Sequence, residues 1–358
     1  MLQVPVPILV DNLQKDTIDT LCLFSPSFEP RSVLGISEFI NDLDPDNTRI
    51  KFGILVFRPS DSRVELLEFL KNSNLAEVEL SLSECKHLPM EIYDLHTPGD
   101  ILDRKLEGIV LNLLAQISEK FNLILDTSSL PREVLIFLMD ILQKYKEAGS
   151  LKRFVLLYTW AKKYPQLHYP ADLGELVTMK TYSPLKTVFE RQNRVRAVHA
   201  ALFVGRQGFD AKQFVEALPD SKVINVHVFM NRENVLHSLE VIRANAPILI
   251  ESAFNIHYYL TLSSGHEKLI RWAQGCPLEE KTAYLIAPFG PKPLVISAWL
   301  AATEIQRRGS KVNGLFTDIV LLREHQYSTT YSLGYKSLCA YEINISQKES
   351  DDFKSVSS

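Results

Sequence analysis

Short apolar runs alternate with amphipathic stretches along most of the chain. The runs cover residues 20–24, 52–57, 122–125 and 154–158 in the first half, and residues 200–204, 223–229, 283–287 and 318–322 in the second. Runs of this length are typical of strands buried on both faces of a parallel sheet. The stretches between them, such as 133–145, place apolar residues three and four positions apart, as amphipathic helices do. The alternation predicts an α/β fold of the doubly wound, Rossmann-like type.

The order of these segments repeats, which predicts two tandem Rossmann-like parallel sheets related by internal duplication. The recurring pairs are 28–31 with 209–212, 54–57 with 226–229, 123–132 with 284–292, and 155–158 with 320–323. We expect a first half over residues 1–175, a linker or connecting helix over 176–198, and a second half over 199–345. The remaining residues, 346–358, are polar without apolar spacing, which predicts a disordered tail.

Composition supports two packed units and excludes several classes of protein. The 358 residues are 46% hydrophobic and 23% charged, enough for two cores of roughly 150 residues each. The net charge of -4 gives no indication of nucleic-acid binding. The four cysteines are isolated, so we expect reduced core thiols and no metal site. No signal peptide and no apolar run of roughly 18 residues is present, so we predict a cytoplasmic protein without membrane contact.

The turn after one strand of the first half combines an acid, three hydroxyl groups and a base. Asp126 ends the apolar run, and Arg132 lies where a helix should begin. The hydroxyl residues between them are Thr127, Ser128 and Ser129. Because ligands of such sheets bind at the carboxyl ends of strands, next to helix N-termini, we interpret this turn as a cradle for a phosphate or carboxylate group. The alternative is structural, with a serine capping the helix and Asp126 closing the turn.

The corresponding turn of the second half carries Gly290 and Lys292 but neither an acid nor a hydroxyl group. Gly290 permits close approach of a ligand to the backbone, and Lys292 supplies a positive charge. Another pair of bases, Arg31 and Lys212, follows an acid near a helix start in each half. We expect these bases either to face a cleft between the halves or to form local ion pairs. A site that spans both halves would be asymmetric, with Asp126 on one wall.

Aromatic residues follow the last strand of each half, with Tyr158 in the first and Tyr331 in the second. Their rings could stack on a nucleobase, or they could pack between the halves. The sequence contains no P-loop, no HExxH motif and no GxSxG motif. It identifies no cofactor.

Taken together, segments 28–32, 126–132, 289–292 and 331–334 resemble bacterial proteins associated with mobile elements and defence loci. The turn of Asp, Thr and Ser before a basic helix start is also similar to the ligand-facing turn of Rossmann-like, CARF-like sensor domains for cyclic oligonucleotides. The resemblance implies a nucleotide-binding role in antiviral defence and a protein partner encoded in the same operon. Such sensors usually carry a separate effector domain, which this sequence does not identify.

Three hypotheses for function follow from the sequence. In the first, the halves bind a nucleotide or another anionic small molecule between them. In the second, the protein is an enzyme acting on a nucleotide or phosphorylated substrate, with Asp126 as general base or metal ligand. In the third, it is a scaffold for a protein partner. The sequence shows no nucleophile–base pair, so the first hypothesis ranks above the second.

Overall fold

In the computed structural model of the protein, the described residues are 1–27, 29–44, 49–57, 64–83, 90–95, 100–163, 174–180, 183–191, 195–205, 208–219, 223–232, 235–246, 254–324 and 333–343. Within these ranges, no helix combines the length and the apolar character needed to cross a membrane.

The first half of the chain forms five parallel strands with helices between them. After β1 (Leu2–Val4) and α1 (Val6–Lys15), the elements are β2 (Asp19–Phe24), α2 (Pro30–Asn41), β3 (Ile50–Phe57), α3 (Val64–Ser83), β4 (Met90–Leu95), α4 (Asp100–Leu114), β5 (Phe121–Asp126), α5 (Arg132–Glu147) and β6 (Leu151–Lys163). Strand β2 pairs in parallel with β3 and β5, and β4 and β6 flank these strands. All residues of β5 are buried, which accounts for its continuous apolar run.

The second half repeats this arrangement. After β7 (Gly174–Thr178), which ends the first half, its elements are β8 (Ser183–Pro184), α6 (Leu185–Arg191), β9 (Ala197–Phe203), α7 (Gly208–Glu216), β10 (Val223–Asn231), α8 (Val235–Ala244), β11 (Phe254–Tyr259), α9 (Leu262–Gly275), β12 (Thr282–Pro288), α10 (Pro293–Arg308), β13 (Phe316–Glu324) and β14 (Leu333–Ile343). The strands β9 to β13 are parallel, with β9 between β10 and β12. The predicted fold class, α/β with two mostly parallel sheets flanked by helices, is confirmed.

The two sheets exchange one antiparallel strand each. The strand order is β1-β14-β6-β5-β2-β3-β4 in one sheet and β11-β10-β9-β12-β13-β7-β8 in the other. Strand β14, which ends the second half, pairs with β6, and β7, which ends the first half, pairs with β13. Both sheets therefore have the same order of six strands, and each is completed by the other half. The domain boundaries predicted at residues 175 and 198 cut across this exchange. The internal duplication remains a prediction.

Helices cover both faces of each sheet and form a core that the two halves share. Helices α1 to α3 cover one face of the first sheet, where Phe39 of α2 is buried. Phe214 of α7 is buried on one face of the second sheet. The remaining faces carry α4 and α5 in one half and α9 and α10 in the other, and their apolar side chains, including Leu138 and Ile296, join in one cluster. This shared core places α5 against α10.

Truncation after residue 332 should unfold the first sheet, because it removes β14. The buried side chains lost are Leu338, Ala340, Tyr341 and Ile343. Burial of each large apolar side chain contributes roughly 1.5–3 kcal/mol, so the summed loss approaches the whole stability of an ordinary domain. We expect the truncated protein to lose the part of its cooperative thermal transition, followed by circular dichroism, that belongs to the first sheet. A chain that ends at Ile343 keeps β14 and is the control. An equally cooperative melt of both chains would refute the structural need for the exchange.

Candidate functional site

The carboxyl ends of β5 and β12 lie where α5 and α10 begin, and these two helices run side by side. Arg132 is the first residue of α5, and Lys292 is the N-cap residue of α10. About two turns further along both helices, Trp299 Nε1 of α10 donates to Asp140 Oδ1 of α5 at 2.7 Å. Since contacts join the helices both at their starts and two turns later, they run in the same direction with their N-termini together.

Each of the two bases contacts the turn of the opposite half. Arg132 Nη2 donates to the carbonyl oxygens of Phe289 and Gly290, at 3.4 and 3.1 Å. Lys292 Nζ donates to the carbonyl oxygen of Ser128 at 3.0 Å. The contacts are reciprocal, because a base at a helix start in one half reaches the backbone of the matching turn in the other. Hydrogen bonds from charged donors such as these are stronger than neutral ones.

Arg31 joins the same site from the start of α2. Its side chain is only 2% exposed, and its Nε donates to Glu29 Oε2 at 2.7 Å. Its Nη1 donates to the carbonyl oxygen of Thr159 at 2.6 Å, and its Nη2 donates to that of Ser128 at 3.2 Å. The Ser128 carbonyl therefore accepts hydrogen bonds from two cations, one from each half of the chain.

The turn after β5 is buried and is held by its own side chains. Asp126 Oδ1 accepts hydrogen bonds from the backbone N–H of Ser128, at 2.9 Å, and from its hydroxyl group. The Ser128 hydroxyl oxygen accepts from Thr159 N at 2.9 Å, and Thr127 Oγ1 donates to the Leu157 carbonyl at 2.9 Å. Asp126 Oδ2, in contrast, is buried and has no hydrogen-bond partner in the described part of the chain.

We define the charge cluster as Glu29, Arg31, Asp126, Arg132 and Lys292. Burial raises the pKa of Asp126 to about 6, although the hydrogen bonds of its turn and the charges of Lys292 and Arg31 act to lower it. Burial likewise lowers the pKa of Lys292 to about 7, against the effect of Glu29, and Arg31 and Arg132 lower it further. Both groups therefore change charge near neutral pH, which is common among groups at functional sites.

Three other predicted ligand residues lie beside the charge cluster, where they contact neighbouring parts of the protein. Ser129 Oγ donates to the carbonyl oxygen of Ser25. Tyr158 is buried, and the Arg31 guanidinium lies 5.8 Å from its ring centroid. Gly290 is buried at the turn, where an added Cβ would lie 3.4 Å from the Cβ of Phe203. The N-cap residue of α5 is Pro131 and no side chain caps this helix, so the expectation of a serine cap is wrong. A ligand role for Ser129, Tyr158 and Gly290 stays a prediction.

Lys212 does not contact the charge cluster. It is exposed in α7, and its Nζ lies 3.5 Å from Glu216 Oε1 one turn away. The structure therefore brings together three of the four predicted bases. The local ion pair that was the alternative expectation is formed by Arg31 with Glu29, whereas Lys212 pairs with Glu216. Tyr331 lies outside the described residues.

Two important contacts of this site had no signal in the sequence. Trp299 and Asp140 lie 159 positions apart, and neither belongs to a repeated segment. Thr159 contributes its backbone N–H and carbonyl group, which carry no information about residue type. The described residues include no group of three or more His, Cys, Asp or Glu side chains suited to a metal ion.

Comparison with known proteins adds little to this picture. No family model matches the chain, and no curated protein is significantly similar to it. Among solved structures, one match is the crystal structure of the cytoplasmic domain of a prokaryotic cation chloride cotransporter, at 10% identity and a TM-score of 0.22. That match covers 85% of this chain and 94% of the other chain. A likeness at this level does not bear on the role of the charge cluster. The fold and the site define a two-sheet α/β protein with a partly buried charge cluster between its halves.

The raised pKa of Asp126 predicts a loss of stability as the pH rises from about 4 to about 6. In this window the folded state holds a proton that the unfolded state has released, so the free energy of unfolding falls with pH. The change in the pKa of Asp126 from 3.8 to about 6 corresponds to about 3 kcal/mol. Asp126→Asn keeps the shape but cannot ionise. Urea unfolding of both proteins should show the stability of the wild type, relative to the variant, falling across this window. A constant or rising difference would contradict the raised pKa.

Proposed function

We propose that the protein binds a phosphate-bearing ligand, such as a nucleotide, at the charge cluster between its two halves. The observation that carries this proposal is the excess of positive charge in the cluster. Arg31, Arg132 and Lys292 are three bases beside two carboxyl groups. The pKa of Asp126 is raised to about 6 and that of Lys292 is lowered to about 7, and a bound anion would favour the charged form of Lys292. An oxyanion with several acceptor oxygens is the chemical group that best complements such a set of donors.

The two helix starts add to the positive potential. The N-terminus of a helix carries a partial positive charge and N–H groups without helical partners, so it favours anions. Here α5 and α10 bring their N-termini together from opposite halves, next to the turns that contain Ser128 and Gly290. A ligand bound there would interact with both helices at once.

The wider setting of this function is also part of the proposal. A sensor role in a prokaryotic defence system, a cytoplasmic location and a protein partner from the same operon rest on the sequence and on the resemblance described above. The charge cluster favours an anionic ligand and does not distinguish among these settings.

The proposal is tested by isothermal titration with a panel of anions. The panel contains inorganic phosphate, pyrophosphate, nucleoside mono-, di- and triphosphates and cyclic oligonucleotides. We expect at least one of these compounds to bind. Arg132→Ala and Lys292→Ala should each weaken its binding by about tenfold or more, since each removes a charge-assisted contact.

The matched control is Lys212→Ala, which removes the same unit of charge from an exposed helix position. It should bind like the wild type, apart from a small effect of net charge that added salt removes. Absence of binding by every compound, or equal weakening in all three variants, would rule out the charge cluster as the binding site.

A second candidate function is an enzyme that acts on a phosphorylated substrate. The observation that favours it is the pair of groups with pKa values near neutrality, Asp126 at about 6 and Lys292 at about 7. A general base and a general acid are most effective when their pKa values lie near the working pH. Asp126 would take a proton from the attacking group, and Lys292 would stabilise or protonate the leaving oxygen.

Product analysis with a bound phosphorylated compound separates catalysis from binding. If the protein is an enzyme, Asp126→Asn should lower turnover by about a hundredfold or more, the usual contribution of a general base, while titration still shows binding. Unchanged turnover in this variant would remove Asp126 from the mechanism.

A further inference from the structure

The bases of the charge cluster already have oxygen partners in the structure. Lys292 is bonded to the Ser128 carbonyl, and Arg132 to the carbonyls of Phe289 and Gly290. The acceptors of Lys292 and Arg132 belong to the opposite half, whereas those of Arg31 belong to its own half. Lys292 and Arg132 carry three and five N–H donors, and those that face the opposite turn are taken by the carbonyl oxygens of that turn. An anion that binds between the two turns therefore competes with the contact between the halves for these donors.

The closed arrangement leaves unfavourable interactions at its centre. Asp126 is 2% exposed, and its Oδ2 has no partner among the described residues, which costs free energy when a polar atom is buried. Lys292 is also close enough to Arg31 and Arg132 to be destabilised by their charges. These costs are offset by the packing around the cluster. A set of contacts that is locally unfavourable and is held by its surroundings is suited to switching between two arrangements.

We infer that the resting protein holds the charge cluster closed, and that an oxyanion binds Arg132 and Lys292 by displacing the carbonyl oxygens of Ser128, Phe289 and Gly290. This inference rests on the proposed function. It makes the contact between α5 and α10 a regulatory element, because whatever stabilises the closed arrangement lowers the apparent affinity for the anion. The displaced carbonyl groups belong to one turn in each half, so binding of the anion loosens the contact between the two halves.

The Trp299–Asp140 hydrogen bond provides a way to weaken the closed arrangement without touching the charge cluster. It joins α10 to α5 at 2.7 Å, about two turns from the bases. Asp140 is exposed and lies in the middle of a helix, where alanine is well accommodated. If the resting state is closed, Asp140→Ala should shift the equilibrium towards the open arrangement and therefore increase affinity.

The experiment is titration of inorganic pyrophosphate into the full-length wild type, Asp140→Ala and Glu147→Ala. We expect Asp140→Ala to bind pyrophosphate about fivefold more tightly, the factor that corresponds to one ordinary hydrogen bond. Glu147 is an exposed acid at the end of the same helix, so Glu147→Ala makes the same change in charge and should bind like the wild type. Trp299→Phe removes the donor instead of the acceptor and should tighten binding in the same way.

The outcomes separate this inference from the proposed function. If pyrophosphate binds the wild type and binding is lost in Lys292→Ala, but Asp140→Ala and Trp299→Phe bind no more tightly than the wild type, the closed arrangement is refuted and the binding site stands. If pyrophosphate does not bind the wild type or any of these variants, the proposed site for this anion and the inference fall together. Tighter binding in Asp140→Ala and Trp299→Phe but not in Glu147→Ala supports the closed arrangement.

Discussion

Each half of this protein lacks one strand of its sheet, and the other half supplies it. Strands β14 and β7 are the exchanged elements, and each lies antiparallel beside the last parallel strand of the opposite half. The halves are therefore joined through main-chain hydrogen bonds as well as through a shared apolar core. This constraint fixes α5 against α10, and the position of the charge cluster follows from it, because two of its bases belong to the starts of these helices.

The charge cluster concentrates positive charge where two helices already direct their positive ends. Such a site is stable only if the cations have oxygen partners, and the backbone carbonyls of the opposing turns provide them. Burial displaces the two pKa values in opposite directions, raising that of Asp126 to about 6 and lowering that of Lys292 to about 7, so both lie near neutral pH. The charge of the cluster, and with it the contact between the halves, therefore depends on pH near neutrality.

The sequence predicted the parallel strands and the basic helix starts because both are local patterns. Arg132 and Lys292 follow a proline after an apolar run, and the helices begin at these positions. Arg31 and Lys212 have the same spacing from an acid, yet α2 begins one residue before Arg31 and α7 begins four residues before Lys212. Lys212 therefore falls within its helix, where its side chain meets the next turn instead of the site.

The exchange of strands could not be predicted, since residues 333–343 mix polar and apolar side chains and their partner strand lies more than 150 positions away. That separation has a consequence for the order of folding during synthesis. The second sheet has all its strands once β13 has emerged, whereas the first still lacks β14, and β1 has no neighbour without it. Domains commonly fold from the N-terminus as they leave the ribosome. Here the sheet that begins at residue 2 is the last to be finished.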